Sequence, residues 1–412
     1  MRPDDLDALQ AALWPDLEVV DSTTPDGRSV RYYRSGGNRE PALGPEVGRS
    51  ASPASSGLGS GRATEAKEAP AAPGLAPMAL ERRWNPVLGE WVINAAHRQE
   101  RTFLPRPEAC PLCPTRPGGP PTELQRPDFE IAVFENRFPS LVPGATVDPG
   151  RGTPLTPVAA AAGACEVVVY SPDHRAELAG ASLRHLRHLI WVWAERTVAL
   201  GARPEVAYVF PFENRGEAIG VTLHHPHGQI YAYPMIPPVI AREVASARGH
   251  DAATGRCLWC DLLAQEEAAR SRLVAVSPTW VAGVPFFARW PYEVHLLPRR
   301  HVGSLAELGT DEVGDLARCL KAILGKYDAR FGFPLPYVMA VHGRPTEPGF
   351  EGPYHLHLEF YPPHRRVDRL KYLAGSELGA GVFINDTFPE ATAAELRALP
   401  PLDPAGLAED EV

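Results

Sequence analysis

The chain has 412 residues, 44% of them hydrophobic and 22% charged, with a formal net charge of −9. That is the make-up of a globular protein of two or three domains, long enough to bury a sizeable core. The acidic balance argues against a general nucleic-acid binder, and no apolar run approaches the ~18–20 residues of a membrane span.

The opening stretch, MRPDDLDALQAALWPDLE, is acidic and lacks the apolar core of a secretion signal, so a cytoplasmic, reducing setting is expected. Residues 1–34 read as an N-terminal arm in which TTPDGRSVRYYRS looks like a hairpin strand. Residues 35–79 are rich in Ala, Gly, Pro and Ser and cannot bury enough surface to offset ordering, so they read as a disordered linker. From residue 80 the pattern changes. RRWNPVLGEWVINAAHRQER places aromatic and β-branched residues around a turn, and FEIAVFENRFPSLV and CEVVVYSPDH read as strands. SLRHLRHLIWVWAERTVALG has apolar residues at helical spacing; its His185 and His188 are read as packing or surface residues without a role. EVAYVFPFENRG and HGQIYAYPM are again strand-like. In the second half RLVAVSPTWVAGVPF and PYEVHLLPRRH read as strands and TDEVGDLARCLKAILGKYDARFG as a helix. YVMAVHG and YHLHLEFYPP follow as strands.

The two halves repeat one order. Residues 80–236 carry Cys110 and Cys113, then His174, then the pair His225 and His227. Residues 237–395 carry Cys257 and Cys260, then His301, then His355 and His357; residues 396–412 form a tail. In both halves a strand begins at Glu (Glu166, Glu293) and ends at the third ligand-type residue (His174, His301) with the same spacing. Such agreement indicates a duplicated α+β unit, with antiparallel sheets and flanking helices, in which neither half closes its sheet alone.

In a reducing compartment the two CxxC pairs call for a reading other than disulfides. A CxxC turn presents two thiolates to one tetrahedral ion, and two remote histidines complete a Cys₂His₂ zinc set. The first set is Cys110, Cys113, His174 and His225; the second, by the repeat, is Cys257, Cys260, His301 and His355. A thioredoxin-like redox role for a CxxC is the weaker reading. Cys165 and Cys319 sit among apolar neighbours and are expected in the core. Residues two apart on a strand share a face, so His227 stands beside His225 but free of metal, a nucleophile for phosphorus next to a glycine that admits close approach. Gln229 shares that face, and His224 points to the other.

HPHGQIYA, with CPLC, SPDH and FENRGEAIG, resembles the galactose-1-phosphate uridylyltransferase family, a branch of the histidine-triad superfamily, over roughly residues 80–395. The resemblance implies two tandem histidine-triad-like halves and transfer of UMP from UDP-glucose to galactose 1-phosphate through a uridylyl-histidine at His227, in a homodimer. It further implies that Gln229 donates to the phosphoryl oxygens, that Arg98 and Arg101 contact phosphates, that Asn136 and Asn214 bind the nucleotide, and that the Thr222 hydroxyl lies near the β-phosphate. Lys371 and Glu377 fall in the hexose-contacting segment. Two positions depart from the pattern: Arg137 replaces an acidic residue and Ser376 an aromatic one. The family's second metal set falls on Glu243, His342, His357 and Glu359, a harder donor set suited to iron or zinc, and competes with the second Cys₂His₂ set for the role of second metal site. The runner-up activity is a nucleotidyl-phosphorylase acting on ADP-glucose or a dinucleoside polyphosphate; a zinc-stabilised binding module would leave His227 and Gln229 without purpose.

Overall fold

The computed structural model describes residues 14, 17–35, 80–101, 104–350 and 352–400. Its first two strands, β1 (Leu17–Thr23) and β2 (Ser29–Ser35), form a hairpin turned at Gly27, whose φ of 87° suits a residue without a Cβ. β3 (Glu81–Asn85), β4 (Glu90–Asn94) and β6 (Val158–Ala160) make a small separate sheet. β5 (Ile131–Glu135), β7 (Ala164–Val169), helix α1 (Leu183–Gly201), β8 (Tyr208–Arg215) and β9 (His227–Tyr233) complete the first half.

The second half begins with a helical pair, α2 (Pro238–Thr254) and α3 (Leu258–Ala269). Strands β10 (Leu273–Val276), β11 (Trp280–Gly283) and β12 (Val294–Pro298) follow. Then come helix α4 (Thr310–Phe331), β13 (Tyr337–His342), β14 (His357–Tyr361), the short pair β15 (His364–Arg366) and β16 (Arg369–Leu370), and α5 (Pro389–Ala398).

Both halves share one antiparallel sheet of eleven described strands, in the order β1-β2-β5-β7-β9-β8-β13-β14-β12-β11-β10. The centre is the β8–β13 pair, where Arg215 faces Tyr337 and Phe212 faces Ala340. Reading outward from that seam, β8-β9-β7-β5 on one side answers β13-β14-β12-β11 on the other, so the sequence repeat becomes a twofold pattern across a continuous sheet. The hairpin of the N-terminal arm is part of this sheet, since β2 pairs with β5 (Tyr32 opposite Ala132). Residues 36–79 of the expected linker and residues 401–412 of the expected tail lie outside the described residues.

α1 and α4 cover one face of the sheet. The Ser182 side chain caps α1 by accepting from the His185 N–H at 3.1 Å, and its apolar stripe (Leu186, Ile190, Trp193) is buried together with Leu316, Leu320 and Ile323 of α4. The Glu312 carboxylate accepts from the Gly309 N–H at the start of α4. Cys165 and Cys319 are buried as expected. His185 and His188 are also buried, and both Nδ1 atoms face Glu130 Oε1 at 2.9 and 3.0 Å, so they belong to a polar cluster and not to the surface. α2 and α3, which the sequence pattern did not reveal, lie on the opposite face of the sheet, over β11, β12 and β14.

Candidate active site and metal centres

His227 opens β9, and its strand neighbours dictate its chemistry. The ring Nδ1 lies 2.7 Å from the His225 carbonyl, which can only accept, so Nδ1 carries the proton and Nε2 keeps its lone pair. Burial lowers the pKa of His227, which favours the neutral imidazole. Gln229 follows on the same face, opposite Val167 of β7 and Phe212 of β8. The Tyr231 hydroxyl donates to Gln229 Oε1 at 3.2 Å, which leaves the amide N–H₂ as the free end. Arg98 Nη1 in turn donates to the Phe138 carbonyl at 2.7 Å and lies 3.3 Å from the Tyr231 hydroxyl. Arg98, Tyr231 and Gln229 thus form one chain, a link that sequence spacing did not reveal.

The other candidates fall as follows. Asn214 lies one position beyond the last β8–β9 pair, Glu213 opposite Gly228, at the His227 end of the ladder. The Asn136 side chain accepts from the Phe138 N–H at 2.8 Å, fixing the turn after β5. The Thr222 carbonyl accepts from the Leu104 N–H, Arg101 is exposed, and His224 is exposed with Nε2 3.1 Å from Glu217. Lys371 and Glu377 pair with each other at 3.1 Å on the segment after β16, and Lys371 also donates to the Ile384 carbonyl. Arg137 lies 3.6 Å from Glu123, and the Ser376 hydroxyl donates to the Val382 carbonyl.

The glycine between His227 and Gln229 is required by packing behind the strand. A Cβ there would lie 2.1 Å from the Tyr170 hydroxyl, on the face that carries α1. The close approach expected on the ligand side is therefore made by the protein itself on the other side. Tyr170 sits beside Glu213, whose carboxyl burial raises to about 8.

Three groups could hold metal ions. Cys110, Cys113, His174 and His225 bring their donor atoms within 4.8 Å of one another, with Cys113 Sγ 3.4 Å from His174 Nδ1 and 3.5 Å from His225 Nδ1. Bond lengths of ~2.3 Å to sulfur and ~2.0 Å to nitrogen around a tetrahedral zinc put S and N about 3.5 Å apart, so the donors fit the ion. His225 Nε2 donates to the Ser171 carbonyl at 2.7 Å, which turns Nδ1 toward the thiols, and sharing a proton with Cys113 favours the Cys110 thiolate. The second half repeats the arrangement: Cys260 Sγ is 3.4 Å from His355 Nδ1 and 3.7 Å from His301 Nδ1, and His355 Nε2 donates to the Pro298 carbonyl.

The third group is Glu243, His342, His357 and Glu359. His342 Nδ1 is 3.1 Å from Glu243 Oε1, and His357 Nε2 is 3.5 Å from Glu359 Oε1. Glu359 Oε2 is buried with no hydrogen-bond partner, as a ligand oxygen facing an ion would be. The sequence posed this set and Cys257, Cys260, His301 and His355 as alternatives, yet they share no residue and both assemble at once.

Comparison with known proteins completes the description. The model of the family described as galactose-1-phosphate uridyl transferase, N-terminal domain, matches residues 74–237, and the corresponding C-terminal domain model matches residues 243–404. A galactose-1-phosphate uridylyltransferase of Thermotoga maritima is 38% identical over 320 residues, covering 77% of this chain and 98% of its own. One from Streptomyces lividans is 40% identical over 297 residues, covering 69% of this chain and 78% of its own. Among solved structures, one described as a uridylyltransferase superposes with a TM-score of 0.69 at 36% identity, covering 80% of this chain and 99% of that one. An ADP-glucose phosphorylase from Arabidopsis thaliana shares the fold, with a TM-score of 0.61 at 24% identity over 78% of this chain and 99% of its own.

Proposed function

The chain belongs to the galactose-1-phosphate uridyl transferase family and is a hexose-1-phosphate uridylyltransferase; on that premise we propose that His227 carries the uridylyl group between UDP-glucose and galactose 1-phosphate. One observation carries the assignment of the nucleophile. The hydrogen bond from His227 Nδ1 to the His225 carbonyl leaves Nε2 as the basic atom, while His225 is turned toward the cysteines.

Nε2 attacks the α-phosphorus of UDP-glucose, the bond to the bridging oxygen breaks, and glucose 1-phosphate leaves with that oxygen's electrons. The phosphate of galactose 1-phosphate then attacks the same phosphorus and Nε2 is released. One nucleophile serves both half-reactions, so the kinetics are ping-pong. Gln229, oriented by Tyr231, donates its amide hydrogen to the non-bridging oxygens, where negative charge grows. Arg98 and Arg101 neutralise the phosphates, and Asn136, Asn214 and Thr222 position the nucleotide.

Both Cys₂His₂ sets hold zinc in a closed structural role in this reading, and the Glu243, His342, His357 and Glu359 set holds zinc or iron. The first zinc set fixes His225 and, through its carbonyl, the His227 ring. A homodimer brings Lys371 and Glu377 to the hexose of the partner's site. Supporting that reading, the same segment exposes Tyr372, Leu378, Val382, Ile384 and Phe388. Six free cysteines suit a reducing, cytoplasmic location, and no described helix is long and apolar enough to cross a membrane.

Isotope exchange tests the function. Labelled glucose 1-phosphate should enter UDP-glucose in the absence of galactose 1-phosphate, because the first half-reaction stands alone. Exchange into ADP-glucose but not UDP-glucose would favour the phosphorylase reading instead.

A further inference from the structure

The second half contains a cavity that the proposed reaction does not use. Its volume is about 660 Å³, within the ~300–1,000 Å³ range of small-molecule sites. α2 and α3 roof it and β11, β12 and β14 floor it. Its floor is the counterpart of the His227 site. His357 and Glu359 occupy on β14 the places of His227 and Gln229 on β9, and His357 Nδ1 bonds the His355 carbonyl at 2.9 Å as His227 Nδ1 bonds that of His225. Glu359 faces His295 across the strand pair as Gln229 faces Val167. The repeat therefore keeps the outline of the His227 site while replacing its amide donor with a carboxylate.

The walls suit a planar group and an anion together. Trp259 and Phe287 both line the cavity; Trp259 is buried against Tyr354 and His357, whereas Phe287 is 57% exposed, with its ring edge-on to His295. Arg242 and Arg289 supply positive charge. Of the four carboxylates in the lining, Glu266 is bound by Arg272, and Glu293 accepts from His295 and from the Arg289 and Trp290 N–H groups. Glu243 and Glu359 are the pair that faces the imidazoles of the third metal set. With a divalent ion there, the lining together with Arg272 carries one positive charge in excess, with Arg289 Nη2 3.7 Å from Glu359 Oε2 and Arg242 exposed at the rim, and the cavity favours an anion.

We propose that this cavity is a second ligand site, which takes a nucleoside phosphate with its base against the exposed Phe287 ring and its phosphate toward Arg242, Arg289 and the ion-bearing floor. The site rests on the reading that Glu243, His342, His357 and Glu359 hold a metal, so metal content is measured on every sample. Equilibrium dialysis of the full chain with radiolabelled UDP, in galactose-free buffer, gives the stoichiometry. Two equivalents per chain are expected for the metal-replete protein. Arg242→Glu with Phe287→Ala should reduce this to one at unchanged melting temperature, and Ser246→Trp, an exposed position on α2 at the cavity, should do the same. Adenosine diphosphate at equal concentration should compete for the cavity equivalent. A protein without metal at the Glu/His set overturns the metal reading and the site with it. A protein with that metal present but one UDP equivalent, or two equivalents that survive both cavity variants, overturns the ligand site alone.

Discussion

The Tyr170 hydroxyl occupies the space beside Gly228 where a side chain would begin, 2.1 Å from the position of a Cβ. The strand that presents His227 and Gln229 is thereby pressed against the helical layer through a fully buried tyrosine. Gly228→Ala should destabilise the protein by about 1–3 kcal/mol through overpacking and displace both neighbours enough to lower kcat. Combining it with Tyr170→Phe should recover part of the loss, because the clashing oxygen is gone. Chemical denaturation of the two single variants and the double variant tests this; strict additivity would show that the two residues do not compete for space.

Behind the same strand, Glu213 sets a pH dependence. Burial raises its carboxyl from the usual 4.5 to about 8. Between those values the unfolded chain has lost the proton and the folded chain has kept it, so this group's contribution to stability falls as pH rises from about 4.5 to about 8, by about 1.4 kcal/mol per unit at most. Glu213→Gln removes that titration. Its melting temperature relative to the parent should climb across the window and level off above it; a difference that stays flat with pH would contradict a protonated Glu213.

The Arg98–Tyr231–Gln229 chain separates charge stabilisation from orientation. Gln229→Ala should lower kcat by about 10²–10³, as for loss of one preorganised donor. Tyr231→Phe keeps the amide but frees its rotation, and a fall of about tenfold is expected, equal to one hydrogen bond. Arg98→Ala should raise the KM for UDP-sugars and lower kcat by no more than Tyr231→Phe does. Steady-state kinetics distinguish these outcomes. An Arg98→Ala enzyme with unchanged KM would remove that residue from phosphate binding.

Metal analysis should find three ions per chain: two zinc and a third that is zinc or iron. Cys257→Ser with Cys260→Ser should lose one zinc and lower the melting temperature while keeping measurable transfer activity, since His227 lies in the other half. His342→Ala should lose the third ion and keep both zincs. Full metal content in the cysteine double variant would show that the second Cys₂His₂ set binds none.

The local pattern of the chain was a good guide wherever chemistry or periodicity repeats. The β-branched run in CEVVVYSPDH and the helical stripe of TDEVGDLARCLKAILGKYDARFG lead to β7, which stops at Val169 short of the expected end at His174, and to α4. The order of Cys and His in the two halves anticipated which side chains would gather. Non-local pairing was less visible. Nothing in EVAYVFPFENRG announces that Asn214 will face Val338 and join two sheets into one. The helices α2 and α3 escaped notice because each buries few residues, Ile240, Val244 and Ala247 in one and Trp259 and Leu263 in the other, so no strong apolar stripe marks them. The cavity they roof was invisible for the same reason. His185 and His188 lacked a role because their partner, Glu130, lies on a different element far upstream.

The central claim is that His227, and not its metal-site neighbour His225, carries the uridylyl group. The most direct test incubates the full chain with UDP-glucose labelled in the α-phosphate, quenches at alkaline pH and maps the labelled peptide by mass spectrometry. The account predicts an acid-labile UMP adduct on His227, release of one equivalent of glucose 1-phosphate per adduct, and loss of both in His227→Ala with its zinc content unchanged. An adduct on any other residue, or turnover without an adduct, would contradict it.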